Sequence, residues 1–413
     1  MDQLRYQDRT LSPHLCRAVE QFPAVVITGP RQSGKTTLVQ HLFGPSRRYV
    51  TLDDPATRQQ AISDPRLLLS RFPAPVIIDE IQYAPGLLPY VKLDIDNNRS
   101  RRGGYILTGS QVFPLMHGVA ESLAGRAAIV SLLSMSFREV AGFPDLNQTT
   151  REMFIKADSV SPSAFGPKME DITGAIYRGG FPEPALSPEM DHRLWHSSYV
   201  QTYLERDVRS LRSVGDLHDF QRFLFAMATR TGSPMNFTDL ARDLGVTGKT
   251  VQAWVSVLEA SGQVITLKPY HASKGKRLVK RPKIYFLDTG TLSYLLDVIR
   301  PEEVLNGMVG GPLFEAAVFG QLVRMCLHRG ETPRIFYWRT SDGHEVDFII
   351  EEGSKLIPVE AKLTATPAPH HTAGIEKFQK LFGSKAGRGL VVCLCRERFP
   401  ITRDVDAVPF GSF

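Results

Sequence analysis

A stretch of residues near the amino terminus has the types and spacing that bind a triphosphate group. Gly29 and Gly34 let the backbone turn tightly and direct several N–H groups at phosphate oxygens, where a β-carbon would be in the way. Lys35 is expected to bridge the β- and γ-phosphates, and the hydroxyl of Thr36 is expected to bind Mg²⁺. The sequence therefore predicts a site for ATP and Mg²⁺. The predicted nucleotide-binding residues are Gly29, Pro30, Arg31, Gln32, Ser33, Gly34, Lys35, Thr36 and Thr37.

A strand and a helix must hold this loop in place. Residues 24–29 form a short β-branched run typical of a buried parallel strand, and residues 37–43 continue with helical spacing. A second apolar run at residues 75–80 ends in Asp79 and Glu80. We expect Asp79 to hold the magnesium through its water shell and Glu80 to orient the hydrolytic water, because phosphoryl transfer depends on positioning and charge stabilisation.

Further segments complete a recognisable pattern. A third strand at residues 104–110 ends in small hydroxyl residues, and Leu-Ala-Gly-Arg follows at residues 123–126. Together with the phosphate-binding loop and the Asp-Glu-Ile-Gln of residues 79–82, these segments resemble the bacterial and archaeal AAA-type ATPase family with an uncharacterised C-terminal region. Tyr-Arg-Gly-Gly-Phe-Pro-Glu at 177–183 and Tyr-Leu-Glu-Arg-Asp at 203–207 resemble the same family, so the resemblance covers nearly the whole chain.

The resemblance implies ATP binding and turnover, and it adds three candidate catalytic residues. Thr108 and Ser110 stand where AAA-type ATPases hold a sensor that contacts the γ-phosphate. Arg126 is either an arginine finger that reaches the γ-phosphate of a neighbouring subunit or an exposed structural arginine. The first alternative predicts a homo-oligomer. With these additions the predicted catalytic residues are Lys35, Asp79, Glu80, Thr108, Ser110 and Arg126.

Length and composition indicate a folded protein with several domains. A chain of 413 residues exceeds what one hydrophobic core usually serves, and 42% hydrophobic with 22% charged residues is ordinary for a soluble globular protein. No apolar run approaches the roughly 18 to 20 residues of a membrane-spanning helix, and the amino terminus does not resemble a signal peptide. We therefore expect a cytoplasmic protein without membrane association. The net charge of +6 favours a polyanionic partner such as nucleic acid.

The middle of the chain predicts a winged helix with a basic wing. The pattern from Phe237 to Gly262 indicates two helices joined by a glycine-bearing turn, and strands at residues 263–267 and 284–288 flank a basic stretch without acids. Basic side chains on such a hairpin suit phosphate contacts, although winged helices also dock proteins and basic hairpins are often merely solvated. The predicted DNA-contacting residues of the wing are Lys268, Lys274, Lys276, Arg277, Lys280, Arg281 and Lys283.

The C-terminal residues carry the signature of a PD-(D/E)xK nuclease-like fold. Asp347 and the Glu360-x-Lys362 pair lie on consecutive predicted strands, so both carboxylates are expected to converge on one Mg²⁺. Lys362 would position or deprotonate the attacking water, and Glu315 would add a carboxylate from the preceding helix. The sequence predicts a possible second metal site at Glu315, Asp347 and Glu360, but a nuclease fold does not establish cleavage.

The predicted class is therefore α/β, with an AAA+-like P-loop domain of parallel strands followed by winged-helix and nuclease-like domains. The expected boundaries are 1–145 for the ATPase domain, 146–194 for a connector, 195–300 for the helical and winged-helix domain, and 301–413 for the nuclease-like domain. Three functions stay open: an ATPase that acts on DNA, an ATP-gated metal-dependent nuclease, and a nucleotide-dependent signalling or defence switch that acts through protein contacts.

Overall fold

A computed structural model describes residues 6–110, 121–144, 169–204, 217–271 and 281–412. No helix within those ranges is long and apolar enough to span a membrane. The basic residues Lys274, Lys276, Arg277 and Lys280 of the predicted wing lie outside the described residues.

A parallel sheet forms the centre of the N-terminal domain. Its strands pair in the order β2-β3-β4-β1-β5. The β-branched run of β1 is buried along its whole length, as expected for a central parallel strand covered on both faces. Separate apolar clusters pack against the two faces of the sheet. The strands are β1 (Ala24–Thr28), β2 (Arg48–Thr51), β3 (Val76–Asp79), β4 (Tyr105–Gly109) and β5 (Ala127–Ser131).

Helices surround this sheet, and two of them begin at aspartate caps. Asp54 accepts a hydrogen bond from the backbone N–H of Thr57, and Asp64 accepts one from that of Leu67, which satisfies amide groups that lack helical partners. A proline follows each cap, where its missing N–H is not needed. The helices are α1 (Ser12–Gln21), α2 (Lys35–Phe43), α3 (Pro55–Ser63), α4 (Pro65–Arg71), α5 (Leu88–Asn97) and α6 (Phe137–Val140).

The segment 169–194, expected to be a connector, is helical and packed where the structure describes it. Ile176 and Phe181 are almost fully buried in a core shared with the following domains. These apolar side chains pack against residues far away in the chain, so the described part of the segment is a packed part of the fold and not a loose connector. The helices of the region are α7 (Met169–Arg178), α8 (Pro182–Leu186) and α9 (His192–Tyr199).

A helix-turn-helix and an antiparallel strand pair follow, as the sequence predicted. The seam between the helices is buried, with Leu240, Trp254 and Leu258 each at most 2% exposed. Strands β6 and β7 pair antiparallel, with Val264 opposite Phe286. The elements are α10 (Leu217–Ala228), α11 (Phe237–Leu244), α12 (Gly248–Ala260), β6 (Val264–Leu267), β7 (Lys283–Phe286) and α13 (Thr289–Leu295).

The C-terminal domain places one long helix before a mixed sheet. The sheet order is β12-β13-β11-β10-β9-β8, with β8, β9 and β10 antiparallel and β10, β11 and β13 parallel. Its apolar core is continuous with that of the preceding domain. The elements are α14 (Gly307–Leu327), β8 (Ile335–Arg339), β9 (Glu345–Glu352), β10 (Lys355–Ala361), α15 (Ala373–Phe382), β11 (Gly389–Cys393), β12 (Phe399–Thr402) and β13 (Val405–Pro409).

Candidate active site

The loop between β1 and α2 has the backbone that its glycines predict. Gly29 and Gly34 adopt φ angles of +146° and +89°, which side chains with a β-carbon rarely tolerate. A β-carbon on Gly29 would lie 2.0 Å from the carbonyl oxygen of Leu132. Glycine is therefore required at residue 29 both by conformation and by space.

Lys35 folds back over this loop. Its side chain is buried, and its Nζ donates hydrogen bonds to the carbonyl oxygens of Gly29, at 3.1 Å, and Pro30, at 2.7 Å. These bonds keep the ammonium group above the loop that α2 continues. The N–H groups at the start of α2 and the Lys35 ammonium thus provide concentrated positive potential for an anion.

Asp79 is the centre of a polar cluster at the carboxyl ends of the parallel strands. The hydroxyl of Thr36 donates to its two carboxylate oxygens at 3.1 and 3.0 Å, and the hydroxyl of Thr108 donates to Oδ1. Tyr49 of β2, which sequence reasoning missed, donates to Oδ2 at 2.8 Å. Burial and the bond to Asp79 both raise the pKa of Tyr49, so this donor stays protonated.

Glu80, Gln82 and Ser110 form a second cluster beside the first. Glu80 adopts a left-handed backbone with φ of 58°, directly after β3. Its carboxylate accepts a hydrogen bond from Nε2 of Gln82 and a long one, 3.4 Å, from the hydroxyl of Ser110. The backbone N–H of Glu80 donates to Thr108 at 3.3 Å. The structure therefore brings the two acids and both sensor candidates to one edge of the sheet.

Arg126 lies at the opposite edge. Its carbonyl oxygen accepts from the backbone N–H of Ala24, where β1 begins, whereas the phosphate-binding loop follows the end of β1. A strand of this length separates the two edges by about 16 Å. The Arg126 guanidinium makes a two-pronged ion pair with Asp96, at 2.8 and 3.0 Å. The structure thus pairs Arg126 within its own chain and keeps it away from the candidate site of that chain.

Residues distant in sequence hold the phosphate-binding loop from outside. Arg9 donates to the carbonyl oxygen of Ser33 at 2.8 Å, and Tyr199 donates to that of Arg31 at 3.5 Å. Gln263, at the end of the helix-turn-helix, donates to the Tyr199 hydroxyl at 2.8 Å. The loop therefore contacts the second domain directly.

A buried carboxylate connects Arg9 to the C-terminal domain. Glu139 is fully buried and lies 3.3 Å from Nε of Arg9 and 3.3 Å from Nδ1 of His328, at the end of α14. It also accepts from the backbone N–H groups of Thr10 and Ser136, each at 2.7 Å. Burial opposes ionisation of Glu139, but Arg9 and His328 outweigh it and hold its pKa well below the usual range.

A separate charged cluster joins the C-terminal domain to β7. Its acidic members are Glu315 from α14, Glu345 and Asp347 from β9, and Glu360 from β10. Lys362 contacts Glu360 at 2.8 Å, so these two side chains lie on the same side of the sheet.

The position of Lys283 contradicts one prediction about the basic wing. It was expected to contact DNA, but it is 2% exposed and pairs with Glu345 at 2.6 Å and Glu315 at 3.3 Å. Burial alone would lower the pKa of Lys283, and the neighbouring acids raise it instead. Strand alternation turns this residue inward, where the acids compensate its charge. Lys268 and Arg281 of the wing are exposed.

The acids of this cluster have pKa values shifted in opposite directions. Burial, followed by the charge of Asp347, raises the pKa of Glu315 to about 7, against the opposing effect of Lys283. Burial and Asp347 also raise the pKa of Glu360. Burial opposes ionisation of Asp347, yet Lys362 and other partners lower its pKa overall. Burial and the neighbouring charges therefore favour the ionised form of Asp347 over that of Glu360.

The predicted second metal site is not formed as expected. In the part of the chain that the structure describes, no group of three or more His, Cys, Asp or Glu side chains is arranged to hold a metal ion. Glu315 instead accepts from the hydroxyl of Tyr285 at 2.5 Å, and Asp347 accepts from the backbone N–H of Ala361 at 2.9 Å. Lysine ammonium groups thus balance the carboxylates in the place where the sequence predicted Mg²⁺.

Models of known protein families match three consecutive segments of the chain. A family model described as an AAA domain matches residues 21–141. Models of two domains of unknown function match residues 169–302 and 310–413.

Among solved structures, the Walker-type ATPase of Pyrococcus abyssi is 15% identical with a TM-score of 0.44, covering 71% of this chain and 99% of its own. The RuvB Holliday junction branch migration motor of Thermotoga maritima is 16% identical with a TM-score of 0.31, covering 62% of this chain and 88% of its own. These low values leave the assignment to the family models and to sequence relatives.

Two sequence relatives extend over almost the whole chain. Uncharacterized proteins of Mycobacterium tuberculosis and Mycobacterium bovis are each 30% identical over 407 residues, covering 97% of this chain and 83% of theirs. The AAA-domain match at residues 21–141 contains the candidate site at the carboxyl ends of the parallel strands. The chain therefore belongs to the family that it shares with these mycobacterial proteins, and it carries an AAA domain at residues 21–141.

Proposed function

We propose that this chain binds Mg-ATP at residues 29–37, hydrolyses it, and uses the cycle to control contacts of its C-terminal domains with DNA. The observation that carries the ATPase proposal is the convergence of Lys35, Thr36, Asp79 and Glu80 at one edge of the sheet. Thr36 and Asp79 are in direct contact, at 3.0 Å, and Glu80 follows Asp79 in the chain.

The residues of this edge fit the chemistry of a magnesium nucleotide. A hydroxyl and a carboxylate are oxygen ligands of the kind that Mg²⁺ takes beside phosphate and water, and the bound ion would neutralise charge on the phosphates. Tyr49 and Thr108 fix the Asp79 carboxylate by hydrogen bonds. Lys35 carries positive charge to the phosphates, and Glu80 orients the attacking water. Thr108 and Ser110 respond to the γ-phosphate in this proposal.

Nucleotide binding and phosphate release test this proposal. Wild type should bind ATP with Mg²⁺ and release phosphate, and Lys35→Ala should lose both. Lys377→Ala is the matched control, because Lys377 is exposed on α15 in the C-terminal domain. If Lys35→Ala binds and hydrolyses ATP as wild type does, the loop is not the nucleotide site.

Exposed polar residues on the second domain support the DNA proposal. Lys249 and Gln252 are exposed on α12, the second helix of the helix-turn-helix, and Lys268 and Arg281 are exposed at the ends of the strand pair. The chain carries a net charge of +6, which favours a polyanion. Gln263 and Tyr199 connect this domain to the phosphate-binding loop, so nucleotide state and DNA contact have a physical link.

Salt-dependent binding to DNA duplexes, single strands and branched junctions tests this part. Replacing both Lys249 and Lys268 by alanine should weaken binding and reduce the slope of log K against log salt, by about 0.9 for each duplex phosphate that the variant no longer neutralises. Lys377→Ala should leave both unchanged. Wild type that retains no DNA, with an ATPase rate indifferent to DNA, would favour a switch that acts through protein contacts.

The order of elements supports a nuclease-like fold for residues 301–413. A helix, an antiparallel meander, a second helix and a parallel strand follow one another as α14, β8–β9–β10, α15 and β11. The carboxylates do not fit a metal site as they are arranged, so we expect DNA to stay intact with Mg²⁺ or Mn²⁺. Cleavage that Lys362→Ala abolishes would overturn that expectation and favour an ATP-gated nuclease.

A further inference from the structure

Gln82 connects Glu80 to Ser110 by both N–H groups of its amide. Nε2 of Gln82 donates to the Glu80 carboxylate and, at 3.1 Å, to the hydroxyl of Ser110. The Ser110 hydroxyl in turn donates to the same Glu80 oxygen at 3.4 Å. A carboxylate accepts hydrogen bonds and does not donate them when ionised, so the amide must present its NH₂ to Glu80. The three side chains therefore form a closed ring of hydrogen bonds.

The other end of the Gln82 amide is unusual. Its carbonyl oxygen, Oε1, is buried, and no hydrogen-bond donor among the described residues reaches it. A buried acceptor without a partner is destabilising, so such atoms commonly mark a site for a water or a ligand. Gln82 is 8% exposed and follows Glu80 by two residues in a tight turn. The unpartnered oxygen thus lies next to the carboxylate proposed to orient the attacking water.

We propose that Gln82 belongs to the hydrolysis machinery, with its NH₂ group holding the Glu80 carboxylate against Ser110 and its carbonyl oxygen accepting a hydrogen bond from the attacking water. This inference rests on the proposed ATPase activity. Glu80 and Oε1 of Gln82 then each accept a hydrogen bond from the same water molecule, which directs its lone pair at the γ-phosphorus.

In the proposed step, one bond to the γ-phosphorus forms as another breaks. The water oxygen forms a bond to the γ-phosphorus while the bond from that phosphorus to the bridging oxygen of ADP breaks. Glu80 accepts one water proton and returns it to the product, and the other proton stays on the new phosphate. ADP leaves with the electron pair of the broken bond. Gln82 gives up no proton, since its amide only orients the water and the carboxylate.

Steady-state ATP hydrolysis by Gln82 variants tests the inference. Gln82→Met keeps the length but loses donors and acceptor, and Gln82→Glu keeps an acceptor but loses the NH₂. Each should lower kcat by about 100-fold, the order that positioned catalytic groups contribute, with KM and the Kd for ATP nearly unchanged. Gln40→Met is the matched control, because Gln40 is exposed on α2. Thermal melting checks that each variant is folded.

The outcomes separate this inference from the proposed function. A wild type that does not hydrolyse ATP removes both. A wild type that hydrolyses ATP while Gln82→Met keeps its kcat removes only the role of Gln82. A rise of kcat in either variant would also overturn the inference, because Gln82 would then restrain Glu80 instead of aligning it. If Gln82→Met melts early, the folded Gln82→Glu variant decides.

Discussion

Replacing Glu139 by alanine should destabilise the chain and weaken nucleotide binding together. Glu139 is 0% exposed and neutralises Arg9, which is 3% exposed and donates to the phosphate-binding loop at Ser33. The substitution leaves a buried guanidinium without its carboxylate and leaves the N–H groups of Thr10 and Ser136 without their acceptor. His328 loses the same partner at the end of α14. The damage therefore reaches the loop and the C-terminal domain at once.

The expected losses of folding stability and of ATP affinity in Glu139→Ala follow from these interactions. Removing one partner of a buried ion pair costs about 3 to 5 kcal/mol. At about 2 to 4 °C per kcal/mol for domains of this size, the melting temperature should fall by about 6 to 20 °C. Losing the alignment of one hydrogen bond to the loop, worth about 0.5 to 1.5 kcal/mol, should weaken ATP binding by about 2- to 10-fold.

Thermal melting and ATP titration measure both effects, with Glu139→Gln as a milder variant of the same shape. Asp297→Asn is the control, since Asp297 pairs with Arg193 on the surface and such pairs contribute little. Because the pKa of Glu139 is depressed in the folded state, its advantage should be complete above pH 4.5, the ordinary pKa of a glutamate, and shrink as the pH falls. A Glu139→Ala variant with wild-type melting temperature and ATP affinity would refute this reasoning.

Other substitutions test separate parts of the structure. The pKa of Glu315 is raised from 4.5 to about 7, so this group should stabilise the fold less as the pH rises between those values, and the melting temperature of Glu315→Gln relative to wild type should increase over that range. Lys283→Met leaves the partly buried acids Glu315 and Glu345 without their buried ammonium partner and should lower stability by at most about 3 to 5 kcal/mol in urea denaturation, whereas unchanged stability would contradict the burial of its charge. Gly180→Ala places a β-carbon 2.3 Å from a backbone oxygen and should lower the melting temperature, whereas Gly311→Ala, with nothing within 4 Å, should not. Equal melting of the two glycine variants would show that the close approach at residue 180 is relieved without strain.

Local patterns were sufficient to predict the phosphate-binding edge. Parallel strands end at the same edge of a sheet, so Asp79 had to approach the loop that ends β1, and the contact with Thr36 has that geometry. The helix-turn-helix was predictable for a similar reason, because its apolar seam repeats with helical spacing within one short segment.

Contacts between distant segments were not predictable from the sequence. Glu139 lies 129 residues from Thr10 in the chain, and nothing near Glu139 identifies its partners. Lys283 belongs to a basic stretch, and only the position of the C-terminal acids shows that it is buried. Tyr49 looks like an ordinary strand residue until β2 pairs with β3 and brings it to Asp79. Sequence periodicity places residues on faces, but tertiary packing decides which charged faces meet.

Single-turnover hydrolysis of Mg-ATP by wild type and Glu80→Gln tests whether this chain is an ATPase that uses Glu80. Glutamine keeps the shape of residue 80 but removes the carboxylate, so Glu80→Gln should bind ATP with nearly wild-type affinity and hydrolyse it at least about 100-fold more slowly. Glu183→Gln is the control, because the Glu183 carboxylate accepts a hydrogen bond from Trp195 in the second domain. This variant should hydrolyse ATP at the wild-type rate. Hydrolysis by Glu80→Gln at the wild-type rate, or no hydrolysis by wild type, would contradict the account.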